Sequence, residues 1–152
     1  MIDPYFRPIL ISSMVTVLLN TILLLPFAGA PLLSYFIGGF LSSTMFKSAK
    51  EDKYFEVKMS DSLILGLGTG VISGSVLALI ISLKLQSSDI KMMIIDKINE
   101  QLQMNSKAEI PLLTELEPGF YMLTAIVTII MAAAMTVLGS TIALAFINKE
   151  KR

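Results

Sequence analysis

Four long apolar runs, at 8–27, 30–46, 62–83 and 120–147, contain no Asp, Glu, Lys, Arg or His. Each is close to or above the ~20 residues that a helix needs to cross ~30 Å of hydrocarbon. In lipid every backbone N–H and C=O must be satisfied inside the protein, which makes helices the expected form of such runs. The composition agrees: 16% of the 152 residues are charged and 54% apolar, against about 25% charged in a soluble domain. The sequence predicts an all-α fold, an integral membrane four-helix bundle forming one transmembrane domain over 1–152, with the lipid bilayer as its first partner.

The stretch 27–31, Phe-Ala-Gly-Ala-Pro, carries no charge and predicts a tight hairpin between the first two spans. Pro26 and Pro31 bracket it where helices stop and start. Ala28-Gly29-Ala30 also has the small-x-small form of a signal-peptide cleavage site. A run longer than an h-region, one preceding basic residue (Arg7) and Pro31 directly after the cut favour a retained span. The 30–46 run is the shortest and also fits a re-entrant or tilted element, whereas 120–147 exceeds the bilayer and predicts tilt or projection.

Orientation follows the Lys and Arg residues near the span ends. Arg7, Lys47, Lys50, Lys53, Lys58, Lys149, Lys151 and Arg152 fall on one side, and Lys84, Lys91, Lys97 and Lys107 on the other, a bias of eight to four. This predicts a multi-pass protein of the cell membrane with both termini cytoplasmic. The 47–61 loop interleaves charges of both signs, as a solvated connector does; a docking patch for a partner or for anionic head groups is the alternative.

On the outer side, Ser88-Asp89 can cap a helix over 88–104. Ile90, Met93, Ile94, Ile98 and Leu102 share one face of it, predicting an amphipathic helix between the third and fourth spans that lies on the membrane or caps the bundle. Asp89, Asp96 and Glu100 gather within about 40° on the other face. Hard cations need more oxygen ligands and a shaped loop, so these acids are read as a solvated face. Glu115 and Glu117 precede the last span and suit its dipole.

Inside the spans, Ser62, Gly66, Gly70, Gly74, Ala78 and Ser82 recur at every fourth residue. Residues four apart share a helix face, so this glycine zipper offers a groove in which another backbone can pack closely. A matching strip on the second span holds Ala30, Ser34, Gly38 and Ser42, with Gly39 and Ser43 beside it. The fourth span adds Thr128, Ala132, Thr136 and Ser140, with Gly139 and Ala143 nearby. Ser12, Thr16 and Asn20 stand four apart on the first span, either as interhelical hydrogen-bonding groups or as a polar strip along a solute path. Gly68-Thr69-Gly70 lacks the last glycine of a dinucleotide fingerprint and has no strand before it.

With no His and no Cys, Ser-His-Asp and Cys-His catalysis, HExxH proteolysis and Cys/His zinc sites are excluded. Zero formal net charge argues against nucleic acid as a partner. Spans without ionisable groups argue against proton relays and against paired-aspartate proteolysis. No catalytic, cofactor-binding or metal-binding residue is assigned, and no cofactor is expected. The two halves show no match that would mark an inverted-repeat transporter.

Tyr35-Phe36-Ile37-Gly38-Gly39-Phe40-Leu41-Ser42-Ser43, a short charged loop, and Asp61 opening a helix with Gly66, Gly70 and Gly74 resemble the core of small glycine-rich archaeal or bacterial multi-span membrane proteins of unknown function. The resemblance covers 30–78, roughly a third of the chain, and implies a membrane-embedded helical fold without lending an activity. The expected function is non-enzymatic: an accessory or assembly subunit, or a homo-oligomer, engaging a membrane protein partner or its own copies by helix packing. The alternative is a small channel or carrier for a neutral or weakly charged solute.

Overall fold

The computed structural model describes residues 4–23, 30–50, 56–105 and 114–149. The hairpin and cleavage motif at 24–29, part of the charged connector at 51–55, the break at 106–113 and the basic tail at 150–152 lie outside the described residues.

Five helices make up the described chain: α1 (Phe6–Leu23), α2 (Ala30–Ala49), α3 (Met59–Leu85), α4 (Ser88–Asn105) and α5 (Pro118–Lys149), with no strand among the described residues. α3 and α5 are long and apolar enough to cross a membrane. At 1.5 Å per residue they measure about 40 and 48 Å. α2 is one unbroken helix through Ala49, three residues beyond its apolar run. The extension takes in Lys47, whose ammonium donates to the Ile147 carbonyl at 2.8 Å. That carbonyl sits in the last turn of α5, where helix C=O groups lack intrahelical donors and a cation is favoured by the dipole.

α1 and α3 run in one direction and α2 and α5 in the other: Tyr5 meets Asp61 and Ser12 meets Thr69, whereas Ser62 meets Ser140 and Gly66 meets Thr136, and Thr16 meets Gly38 while Asn20 meets Ser34. α3 touches each of the other four helices, whereas α1 and α5 make no close approach among the described residues. α4 packs only on α3 among the described residues. Its most buried side chain is Ile95, with Ile90, Ile94, Ile98 and Leu102 half-buried and Met93 exposed, so the inward face keeps most of the expected residues and is turned from the expected one by roughly 50°. Ile95 sits beside Ile94 and Ile98 on the wheel.

One end of the molecule is closed by contacts that reach across the chain. The Tyr5 hydroxyl donates to Asp61 Oδ1 at 2.7 Å, and the Lys58 N–H to Asp61 Oδ2 at 3.0 Å. Asp61 thus caps α3 where its dipole favours an anion and ties it to the start of α1. The Tyr5 ring stacks on Phe46 at 4.8 Å, with the Lys50 ammonium 5.4 Å from the Phe46 ring centre. Beneath them Phe46, Val57, Leu65, Ala143 and Ile147 form a buried apolar cluster. Replacing Tyr5 by Phe keeps the stacking and removes one hydrogen bond. The expected loss is about 1 kcal/mol, read by circular dichroism in detergent as a thermal midpoint lower by ~2–4 °C.

Candidate functional site

The interior of this chain mixes apolar side chains with many hydroxyls, and its surface is rich in large apolar side chains. Ser12, Thr16, Ser34, Ser43, Thr136 and Ser140 are all buried, whereas Met14 and Met122 are 67% and 68% exposed and Leu79 62%. Buried hydroxyls are tolerated because each reaches an acceptor. Serine and threonine in a helix can bond the carbonyl three or four residues back, and Ser13, Thr16, Ser42 and Ser73 all do so.

Between α3 and α5 the hydroxyls also cross the interface. Thr136 Oγ1 donates to the Gly66 carbonyl at 2.8 Å. One turn on, Ser140 Oγ donates to the Ser62 carbonyl at 2.6 Å. Ser140 Oγ also lies 2.8 Å from Ser62 Oγ and 2.7 Å from Ser43 Oγ, joining α2, α3 and α5 at one point. Such bonds need backbones close together, and glycine supplies the room. A Cβ on Gly66 would stand 2.7 Å from Val137 Cα, one on Gly70 2.5 Å from Ala133 Cα, and one on Gly74 2.9 Å from Ala132 Cβ. Ala78 is buried further along the same face, and Ser82 at its end is half-exposed.

The strip on α2 behaves differently. Gly38 faces α1, where an added Cβ would collide with the Thr16 hydroxyl, whereas Gly39 faces α5, where it would stand 2.6 Å from the Thr136 carbonyl carbon. Adjacent glycines thus admit two different helices. Ser34 accepts from Asn20 Nδ2, closing α1 on α2, and Ser42 Oγ returns to the Gly39 carbonyl at 2.7 Å. The α3 ladder packs on α5, and the α2 strip is divided between α1 and α5.

Ser12, Thr16 and Asn20 are buried against neighbouring helices. Ser12 Oγ lies 3.0 Å from Thr69 Oγ1 on α3, Thr16 fits against Gly38, and Asn20 meets Ser34 on α2. An open groove of about 420 Å³ does run along α1 and α3, but Ser13 and Thr21 line it rather than these three residues. Asp89, Asp96 and Glu100 are exposed, and no group of three acidic side chains able to hold a metal occurs among the described residues.

No protein-family model, curated protein or solved structure matches this chain. Its chemistry is therefore read from its own residues. Sequence reasoning missed the Tyr5–Asp61 bond, for which an acid opening a helix was the available signal. It also missed Thr69, which shows only as one hydroxyl between two glycines.

The relative weight of packing and hydrogen bonding can be measured here. Gly39→Ala forces apart two backbones, an overpacking expected to cost about 1–3 kcal/mol. Thr136→Val keeps the shape and loses the hydroxyl, for an expected ~0.6 and at most ~1.7 kcal/mol. Gly119→Ala, with nothing within 4 Å of the new Cβ, is the neutral reference. Detergent or urea unfolding of the three variants checks the order.

Proposed function

We propose that the chain is a four-span integral membrane protein, with α1, α2, α3 and α5 crossing the bilayer and α4 on its outer surface, that acts without catalysis through helix packing. The observation that carries this reading is the broad apolar surface over a hydroxyl-rich interior. Soluble monomers rarely expose contiguous apolar patches above a few hundred Å², yet the outward sides of α1, α3 and α5 are apolar along most of their described length. α1 at about 27 Å and α2 at about 30 Å are long enough for the hydrocarbon layer. The ends holding Tyr5, Lys47, Lys58 and Asn148 lie together, which supports both termini and the 47–61 loop on one side, the cytoplasmic one by the charge bias.

Within this reading the protein is an accessory or assembly subunit, or assembles with its own copies. In support, the interior hydroxyls are engaged with one another and with backbone carbonyls, leaving the exposed apolar faces as the surface available to partners. Van der Waals packing is what such faces offer in lipid. The channel or carrier alternative draws on the hydroxyl row of α1, which is closed against α2 and α3 by Thr69, Gly38 and Ser34.

Two measurements test this. The chain has no cysteine, so a single introduced one is unique. Ser48→Cys is expected to react with an impermeant maleimide only after the cytoplasmic side is opened, and Gln101→Cys in intact cells; the reverse pattern, or labelling of both from one side, overturns the topology. Gentle extraction through a C-terminal tag is expected to yield a particle heavier than one chain, containing a stoichiometric partner or further copies. A lone chain whose vesicles pass a neutral solute, with flux altered by Asn20→Leu, transfers the function to the transport reading.

A further inference from the structure

The groove along α1 and α3 is bounded by Leu10, Met14, Val17, Leu18, Ile72 and Val76. Two hydroxyls also reach it, but both are already engaged: Ser13 Oγ donates to the Ile9 carbonyl at 2.7 Å and Thr21 Oγ1 to the Val17 carbonyl at 2.8 Å. The wall therefore offers hydrocarbon and no free donor. From Leu10 to Thr21 it runs about 16 Å along the helix, comparable to one leaflet of a hydrocarbon layer ~30 Å thick.

At the end of this row, one turn before Leu10, stands Arg7. It is exposed and shares the α1 face of Leu10, Met14, Leu18 and Thr21 by the three-and-four spacing of a helix. Side chains of a helix lean toward its N-terminus, which directs the guanidinium out of the groove toward the head-group layer. Guanidinium binds phosphate through paired, charge-assisted hydrogen bonds. An oily groove of one-leaflet length with a cation at its end suits an acyl chain with a phosphate above it. A lipid of net negative charge suits it more than a zwitterionic one, whose own ammonium competes for the phosphate and repels the guanidinium.

We propose that this groove seats one acyl chain of an anionic phospholipid of the cytoplasmic leaflet, whose phosphate is held by Arg7. The proposal rests on the membrane-spanning reading above. Arg7 also disfavours a second copy as the occupant: a symmetric pairing in the same orientation sets two Arg7 cations at one depth, where they repel.

The test is native mass spectrometry of the detergent-purified chain after exposure to an equimolar mixture of phosphatidylglycerol and phosphatidylcholine with identical acyl chains. Wild type is expected to retain phosphatidylglycerol several-fold over phosphatidylcholine. Arg7→Gln is expected to abolish that preference and Arg7→Lys to restore part of it. Val76→Phe and, independently, Met14→Trp fill the groove and are expected to lower retention of both lipids, while Leu123→Phe on the outer face of α5 leaves it unchanged. Equal retention of the two lipids by wild type overturns the proposal, as does phosphatidylglycerol retention that survives both groove-filling changes in variants with wild-type helical content. Failure of the spanning reading is separable, because the chain would then leave the membrane in alkaline carbonate.

Discussion

The approach of α5 to α2 and α3 is a contact of backbone on backbone, and the remaining arrangement depends on it. Gly39, Gly66 and Gly70 present no Cβ where Thr136, Val137 and Ala133 pass. Removing the side chain at those points lets the helices come near enough for Thr136 and Ser140 to donate across to α3 carbonyls. On the proposed reading of these helices as membrane spans, burying a leucine against another helix gains little over leaving it among acyl chains, so dispersion at short range and such bonds are the available attractive terms. Packing and hydrogen bonding are therefore one device here: without the glycines the hydroxyls fall short of their acceptors.

Much of this was legible from periodicity. A four-residue repeat of small side chains defines a face whatever it meets, so the α3 ladder and the α1 row of Ser12, Thr16 and Asn20 could be read directly. Which helix each face meets was not legible, since repeat spacing carries no information about the partner. Gly38 and Gly39 look equivalent in the sequence, yet they point about 100° apart on the helix and serve different neighbours. The same limit applies to α4, where Met93 and Ile95 are both acceptable apolar-face residues and only the roll of the helix against α3 decides between them. The extension of α2 past its apolar run was hidden because Lys47 is polar by composition, although its long stem lets the ammonium reach the Ile147 carbonyl.

The hydroxyls also explain how a chain without Asp, Glu, Lys, Arg or His in its apolar runs obtains specificity. Serine and threonine satisfy themselves on their own helix when no partner is present, so each can exist in lipid before assembly at small cost. On assembly the same oxygens gain or share a partner, as Ser140 does with Ser43 and Ser62. The interior is thus directional without being charged, and correct register is rewarded at several points along α3.

The last helix in the chain holds the interface that joins α2 to α3, and this orders assembly in time. While residues ahead of α5 are being synthesised, the glycine faces of α2 and α3 have each other for only a weak contact, and Ser43 and Ser62 await the oxygen of Ser140. The hairpin of α1 and α2, tied through Asn20 and Ser34, can form early. The α3 glycine face is covered by α5. α5 thus closes the bundle, and without 118–149 the glycine faces of α2 and α3 lose the backbone they fit against.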